Sequence, residues 1–273
     1  MNANYEGHMG ETWKNQIKLV GVNQDGMYIA NQDDVLCIDD EVEAESTPEI
    51  VQEDKRYLCV LPTNDECGRY ASSKACVVFY TDDHKRRRGT KTEYFKQLIR
   101  ENKSIATTHY LIEHLDREVI NLLKEKQYVL VIDECLDVLH KLIDLKKSDV
   151  KLLFNDNWIS ITENGLIQWN ADKDKDYDGV FKRIKDMCDM QSLMAMRLDN
   201  GGFSKEYLMW QFPCEFFKLF QEAYVLTYMW NGSIQKSYFD LHNIKYKHMT
   251  FDNEKNLIPY DKLYELAKRK QFK

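Results

Sequence analysis

Residues 128–132, Tyr-Val-Leu-Val-Ile, place five apolar side chains in succession and then meet two adjacent acids, Asp133 and Glu134. A strand with one wet face alternates polar and apolar positions, whereas an unbroken apolar run belongs to a strand covered on both sides. Such cover comes from helices, and the chain carries the patterns for them. The segment KTEYFKQLIRENK (91–103) sets Tyr94, Phe95, Leu98 and Ile99 at helical spacing, and REVINLLKEK (117–126) is amphipathic. Between and around them, RYLCVLP (56–62), KACVVFYT (74–81) and the start of SIATTHYLIEHL (104–115) read as short buried strands. Strands alternating with helical segments predict an α/β fold with a mainly parallel sheet and helices on both faces.

Beyond these segments the patterning is mixed. CLDVLHKLIDL (135–145) and DGVFKRIKDMCDMQSLM (178–194) read as helices, and WISITENGLIQW (158–169) as a hairpin about Asn164-Gly165. EFFKLFQEAYVLTYMW (215–230) reads as a helix followed by a strand, and SIQKSYFDLHNI (233–244) as a further helix. The dense aromatic stretch WQFPCEFFKLF (210–220) is expected in the core. Short strands about an Asn-Gln-Asp-Gly turn are expected in residues 17–39, and an acidic linker after them.

Composition bounds the function class. At 43% hydrophobic and 12% aromatic residues the chain can bury a real core. Its formal charge of −7 argues against a general nucleic-acid coat, but charge is unevenly placed. Residues 31–54 hold ten acids and no Lys or Arg, whereas residues 84–103 hold eight bases against two acids. The seven cysteines form no C-x-x-C pair and no zinc-like spacing with histidine, as expected of free thiols in a reducing compartment. No apolar stretch has transmembrane length, so a soluble, cytoplasmic protein without a membrane partner is expected.

In a parallel α/β sheet, ligands bind in the crevice at the carboxyl ends of the strands. An apolar strand ending in Asp-Glu therefore delivers two carboxylates to that edge. Magnesium takes oxygen ligands, and hydrolysis needs a base beside it, so adjacent acids can serve both needs.

Four segments in order, KRYLCVLPTNDECGR (55–69), NKSIATTHYLIEHL (102–115), YVLVIDECLDVL (128–139) and AYVLTYMW (223–230), together resemble the first motor domain of phage- and prophage-type DEAD/DEAH-box helicases of superfamily 2. The resemblance covers roughly residues 55–240. It implies a RecA-like, P-loop NTPase type sheet and hydrolysis of ATP with Mg²⁺. Asp133 would ligate the metal and Glu134 would act as the catalytic residue toward water. Pro62 and Thr63, and later Thr107, Thr108 and His109, would lie along nucleic acid, and Thr227 would couple hydrolysis to strand movement. Arg86, Arg87 and Arg88, in HKRRRGTKTEYFK (84–96), are further candidates for phosphate contact, beside Tyr94 and Phe95.

The match departs from the family at its phosphate loop. A G-x-x-x-x-G-K-[ST] segment should precede the strand at Arg56, and the acidic segment there has none. The nearest echo is GHMGETWKNQI (7–17), which makes Gly10, Thr12 and Lys14 the candidates for binding ATP. The stretch after Trp230 is too short for a second motor domain. The expected division is a divergent segment 1–54, a RecA-like domain 55–230, and 231–273 as the start of an incomplete second domain or a helical extension.

The preferred expectation is a Mg-ATP hydrolysing domain that binds single-stranded or duplex DNA, or RNA, in an infected or prophage-bearing cell. A second motor lobe or a replication protein would complete it. Two rivals stand beside it: a non-hydrolysing nucleic-acid-binding module, and an interaction protein whose acidic segment meets a basic partner.

Overall fold

The computed structural model describes residues 35–39, 55–72, 78–80, 89–142, 145–170, 176–251 and 257–262. The candidates Gly10, Thr12, Lys14, Arg86, Arg87 and Arg88, and the early strands expected before Val35, lie outside them. The chain divides into two compact units. One comprises the residues up to Leu136 together with those from Phe216 onward, and the other is Asp137–Glu215.

The first unit runs β1 (Val35–Asp39), β2 (Arg56–Leu61), α1 (Asn64–Ser72), β3 (Val78–Tyr80), α2 (Lys91–Arg100), β4 (Ser104–Thr108), α3 (His109–Glu113), α4 (Arg117–Lys124) and β5 (Tyr128–Asp133). The second unit follows with β6 (Leu139–Lys141), α5 (Lys147–Asn155), β7 (Ile159–Ile161), β8 (Ile167–Trp169), α6 (Lys182–Asp189), β9 (Leu193–Arg197) and β10 (Phe203–Gln211). A 3₁₀ turn, Cys214–Leu219, leads back to β11 (Glu222–Thr227), α7 (Ile234–Leu241), β12 (Tyr246–Phe251) and β13 (Leu257–Pro259).

One sheet organises the first unit, in the order β13-β12-β1-β11-β5-β2-β4-β3, parallel throughout except for β13. The apolar run at 129–132 is its centre: Leu130, Val131 and Ile132 are fully buried, each worth about 2 kcal/mol of apolar burial. The right-handed crossover rule, applied to this strand order, predicts α1 on one face and α2, α4 and α7 on the other. The Lys96 ammonium on α2, itself buried, agrees with that placement by meeting Asp116 and Glu118 at the start of α4, each at 2.7 Å. Burial opposes its charge, but the hydrogen bonds it donates to Asp116 and Glu118 prevail, and its pKa is raised.

In the second unit, β6-β10-β9 form an antiparallel sheet and β7-β8 the expected hairpin. Gly165 in its turn has φ +84°, and a Cβ there would meet the Phe203 ring at 2.5 Å, so the position accepts only glycine. Leu153, Leu193 and Ala195 are fully buried at the centre of this unit's own core.

Several expectations are corrected. The described residues of 135–145 hold no helix; Leu136 and Val138 are buried and Asp137 exposed, an alternation that leads into β6. The helix expected over 178–194 ends at Asp189, where Gln191 takes φ +55° and the chain turns into β9. The boundary expected at Trp230 falls inside a single unit, because β12 pairs with β1 and continues the same sheet. The aromatic stretch is core as expected, with Phe212 and Phe216 fully buried. None of the described cysteines is in a disulfide. No helix among the described residues is long and apolar enough to cross a membrane.

Candidate functional site

From β5 the chain next joins the sheet at β11, on one side; from β2 it next joins at β3, on the other. The two strands are neighbours, so their departing loops diverge and leave a crevice at their carboxyl ends. Asp133 and Glu134 leave β5 at this point, and Pro62 and Thr63 leave β2. The sheet thus brings four of the expected site residues to one edge.

Asp133 is half-buried and Glu134 reaches the surface. Glu134 has φ +66°, a left-handed conformation uncommon for a side chain of its kind, and such outliers gather at functional sites. Three bonds from the β11–α7 side hold this turn. The Glu134 N–H donates to the Leu226 carbonyl at 2.8 Å, and the Cys135 thiol donates to Thr227 Oγ1 at 3.4 Å. The Leu136 N–H donates to Gln235 Oε1 at 2.8 Å. Thr227, itself buried, is therefore tied to the loop that carries Glu134. Partial burial raises the Glu134 carboxyl above its ordinary value, and the charge of Glu66 raises it further.

Thr63 and Glu66 form a reciprocal cap on α1. The Glu66 N–H donates to Thr63 Oγ1 at 3.2 Å, while Glu66 Oε2 accepts from the Thr63 N–H at 3.3 Å and from its hydroxyl at 3.2 Å. Replacing Thr63 by Ala should cost about 1 kcal/mol in urea denaturation, the usual loss of such a cap. Tyr70, one turn along α1 and buried, has its phenol held well above its ordinary pKa by burial and then by the charge of Asp133.

His109 stands beside them. Its Nε2–H donates to the Asp133 carbonyl at 2.8 Å, joining the end of β4 to the end of β5 across β2. Burial lowers its pKa, against the pull of that backbone contact, and favours the neutral ring. Thr108 caps α3 by accepting from the Leu111 N–H at 3.4 Å, and Thr107 is fully buried. The exposed members of the expected nucleic-acid set among the described residues are thus Pro62 and Thr63.

Sequence reading missed Glu66, Tyr70 and Gln235. The Thr-x-x-Glu spacing at 63–66 is a capping signature and was legible. Gln235 carried no local signal, since its bond to Leu136 spans a whole inserted unit.

Oxygen donors at Asp133, Glu134 and Glu66 suit a hard divalent cation. Among the described residues no group of three or more His, Cys, Asp or Glu is set to enclose a metal. Magnesium held largely by substrate phosphates needs only one or two carboxylates, so the donor set fits that use. The phosphate side fits less well: Asp39, the last residue of β1, lies in register with Thr227, and the sequence after it holds no glycine-lysine loop.

The fold and site define an α/β domain with an acidic crevice at the switch point of a parallel sheet, interrupted after β5 by a second unit. Residues 140–210, within that second unit, match the YonV middle domain family. Over 225 residues the chain is 28% identical to the SPbeta prophage-derived uncharacterized protein YonV of Bacillus subtilis (strain 168), an overlap of 79% of this chain and 53% of that protein. The chain spans about half the length of this curated relative. The likeness supports a phage or prophage origin. No solved structure matches the chain.

Proposed function

We propose that the first unit is a RecA-like, superfamily 2 helicase-type domain that hydrolyses Mg-ATP in response to nucleic acid. The observation that carries this reading is the arrival of Asp133 and Glu134 at the switch-point crevice, with Thr227 bonded to the same turn. Magnesium would supply charge stabilisation for phosphoryl transfer, with Asp133 as its protein ligand. Glu134 would orient and deprotonate the attacking water. Its raised carboxyl is a stronger base than an ordinary glutamate, which suits that task. The bonds from Leu226, Thr227 and Gln235 would pass a change at this turn to β11 and α7. Pro62 and Thr63 would face single-stranded or duplex DNA, or RNA, and a second motor lobe would complete a translocating machine in the cytoplasm of the host.

The test is binding of Mn²⁺-ATP, followed by the electron paramagnetic resonance of the metal. Wild-type chain should immobilise Mn²⁺ only when ATP is present, and Asp133→Ala should abolish that signal without loss of fold. Mn²⁺ uptake unaffected by Asp133→Ala would overturn the assignment.

A second reading is favoured by the sequence after β1, which is acidic and holds no glycine-lysine loop to bind a triphosphate. Under it the domain kept its sheet and nucleic-acid edge and binds without hydrolysis.

A further inference from the structure

The carboxyl edge of the sheet also carries apolar side chains that the hydrolytic reading does not use. Tyr110, directly after His109, is 69% exposed, and Tyr228, directly after Thr227, is 61% exposed. Tyr110 lies in the first turn of α3 and Tyr228 in the loop after β11, and neither ring is buried against the core. Tyr110 has one side backed by His114, with ring centroids 4.3 Å apart and planes 30° apart. Tyr228 is followed by Met229, 58% exposed and turned into the left-handed region at φ +60°.

Their places in the sheet are related. Tyr228 follows β11 and Tyr110 follows β4, and between these strands lie β5 and β2, which carry the acidic crevice. Three strand spacings separate them, roughly 14 Å at ~4.8 Å each. That span holds about four bases stacked at ~3.4 Å.

We infer that Tyr110 and Tyr228 are two stacking platforms for unpaired bases, one on each side of the Asp133–Glu134 crevice. The inference rests on the nucleic-acid part of the proposed function and assigns its mode of contact. A protein partner would call for a contiguous apolar patch, whereas here two rings are set apart by carboxylates. Those carboxylates, Glu66, Asp133 and Glu134, also repel a phosphate backbone laid directly over them. A strand that turns its neutral bases toward the edge keeps its phosphates outward, and isolated tyrosines suit that orientation. Stacking of this kind is tolerant of sequence, because every base presents a ring face.

The test titrates the full chain, without nucleotide, against a short single-stranded DNA carrying 2-aminopurine, and against the same backbone with abasic residues. Wild type should bind the normal strand about tenfold or more tighter than the abasic one, with quenched 2-aminopurine. Tyr110→Ala and Tyr228→Ala should each weaken the normal strand about tenfold and leave the abasic strand unchanged, and the Phe variants should bind like wild type. Equal affinity of wild type for both strands, or Ala variants that bind like wild type, would overturn the stacking platforms while leaving nucleic-acid binding intact. Phe variants as weak as the Ala variants would assign the effect to the hydroxyl and also overturn it. Absence of any DNA binding by wild type would overturn this inference together with the nucleic-acid part of the proposed function.

Discussion

Trp230→Ala should lower the stability of the first unit by about 3–5 kcal/mol, a loss that exceeds most single substitutions. Trp230 is fully buried in the turn after β11, with its ring 5.4 Å from Phe239 on α7 and 5.3 Å from Tyr246 on β12. It is thus the packing link between the strand bearing Thr227, the helix bearing Gln235 and the next strand of the sheet. Removing the indole leaves a cavity that rigid neighbours on three elements cannot close. Urea denaturation followed by far-ultraviolet circular dichroism reads the effect, and Trp230→Phe should recover part of it. Trp158, Trp169 and Trp210 belong to the second unit, so fluorescence from these three should be little altered.

The second large effect is catalytic. Glu134→Gln should reduce nucleic-acid-stimulated ATP turnover by roughly a hundredfold or more, the usual contribution of a positioned base. The amide keeps the shape and the left-handed turn but cannot take a proton. DNA affinity should not fall, since no strand contact is assigned to Glu134. The same variant carries a stability signature of defined sign. The native carboxyl is raised by burial and by Glu66, so the folded chain keeps a proton that the unfolded chain releases as pH rises past about 4.3. Its contribution is therefore full below that pH and is lost as pH climbs through the raised native value. Glu134→Gln should be more stable than wild type at neutral pH, and the difference should vanish in acid.

The parts of this structure that were readable from sequence are those whose signal is local. The unbroken run at 128–132 announced a strand buried on both faces, and its ending in two acids announced the crevice edge, because a parallel sheet leaves one place for such residues. The helix at 91–100 and the Asn164-Gly165 hairpin were equally legible, from spacing and turn chemistry. Residues 135–138 were misread because two apolar residues flanking an acid fit either period over so short a run. β12 was missed because its place in the sheet comes from a partner distant in sequence: Val35 pairs with both Ala223 and Tyr246. Of the site, Asp133, Glu134 and Thr227 were visible as motif ends. Tyr70 and Gln235 became visible once the sheet had brought α1 and α7 to the same turn.

The inserted unit also explains why the linear domain boundaries went astray. Its entry and exit, near Asp137 and Glu215, fall at the loop after the Asp-Glu strand, where a chain excursion leaves the strand order of the sheet intact.

The central claim is hydrolysis at the Asp133–Glu134 turn, and the most direct measurement is steady-state release of phosphate from ATP by the wild-type chain, with and without single-stranded DNA, in Mg²⁺ and in excess chelator. The account predicts turnover that requires Mg²⁺ and rises with DNA. No turnover under any of these conditions, from a folded chain that still binds DNA, would contradict it and leave the acidic turn as a feature of a binding domain.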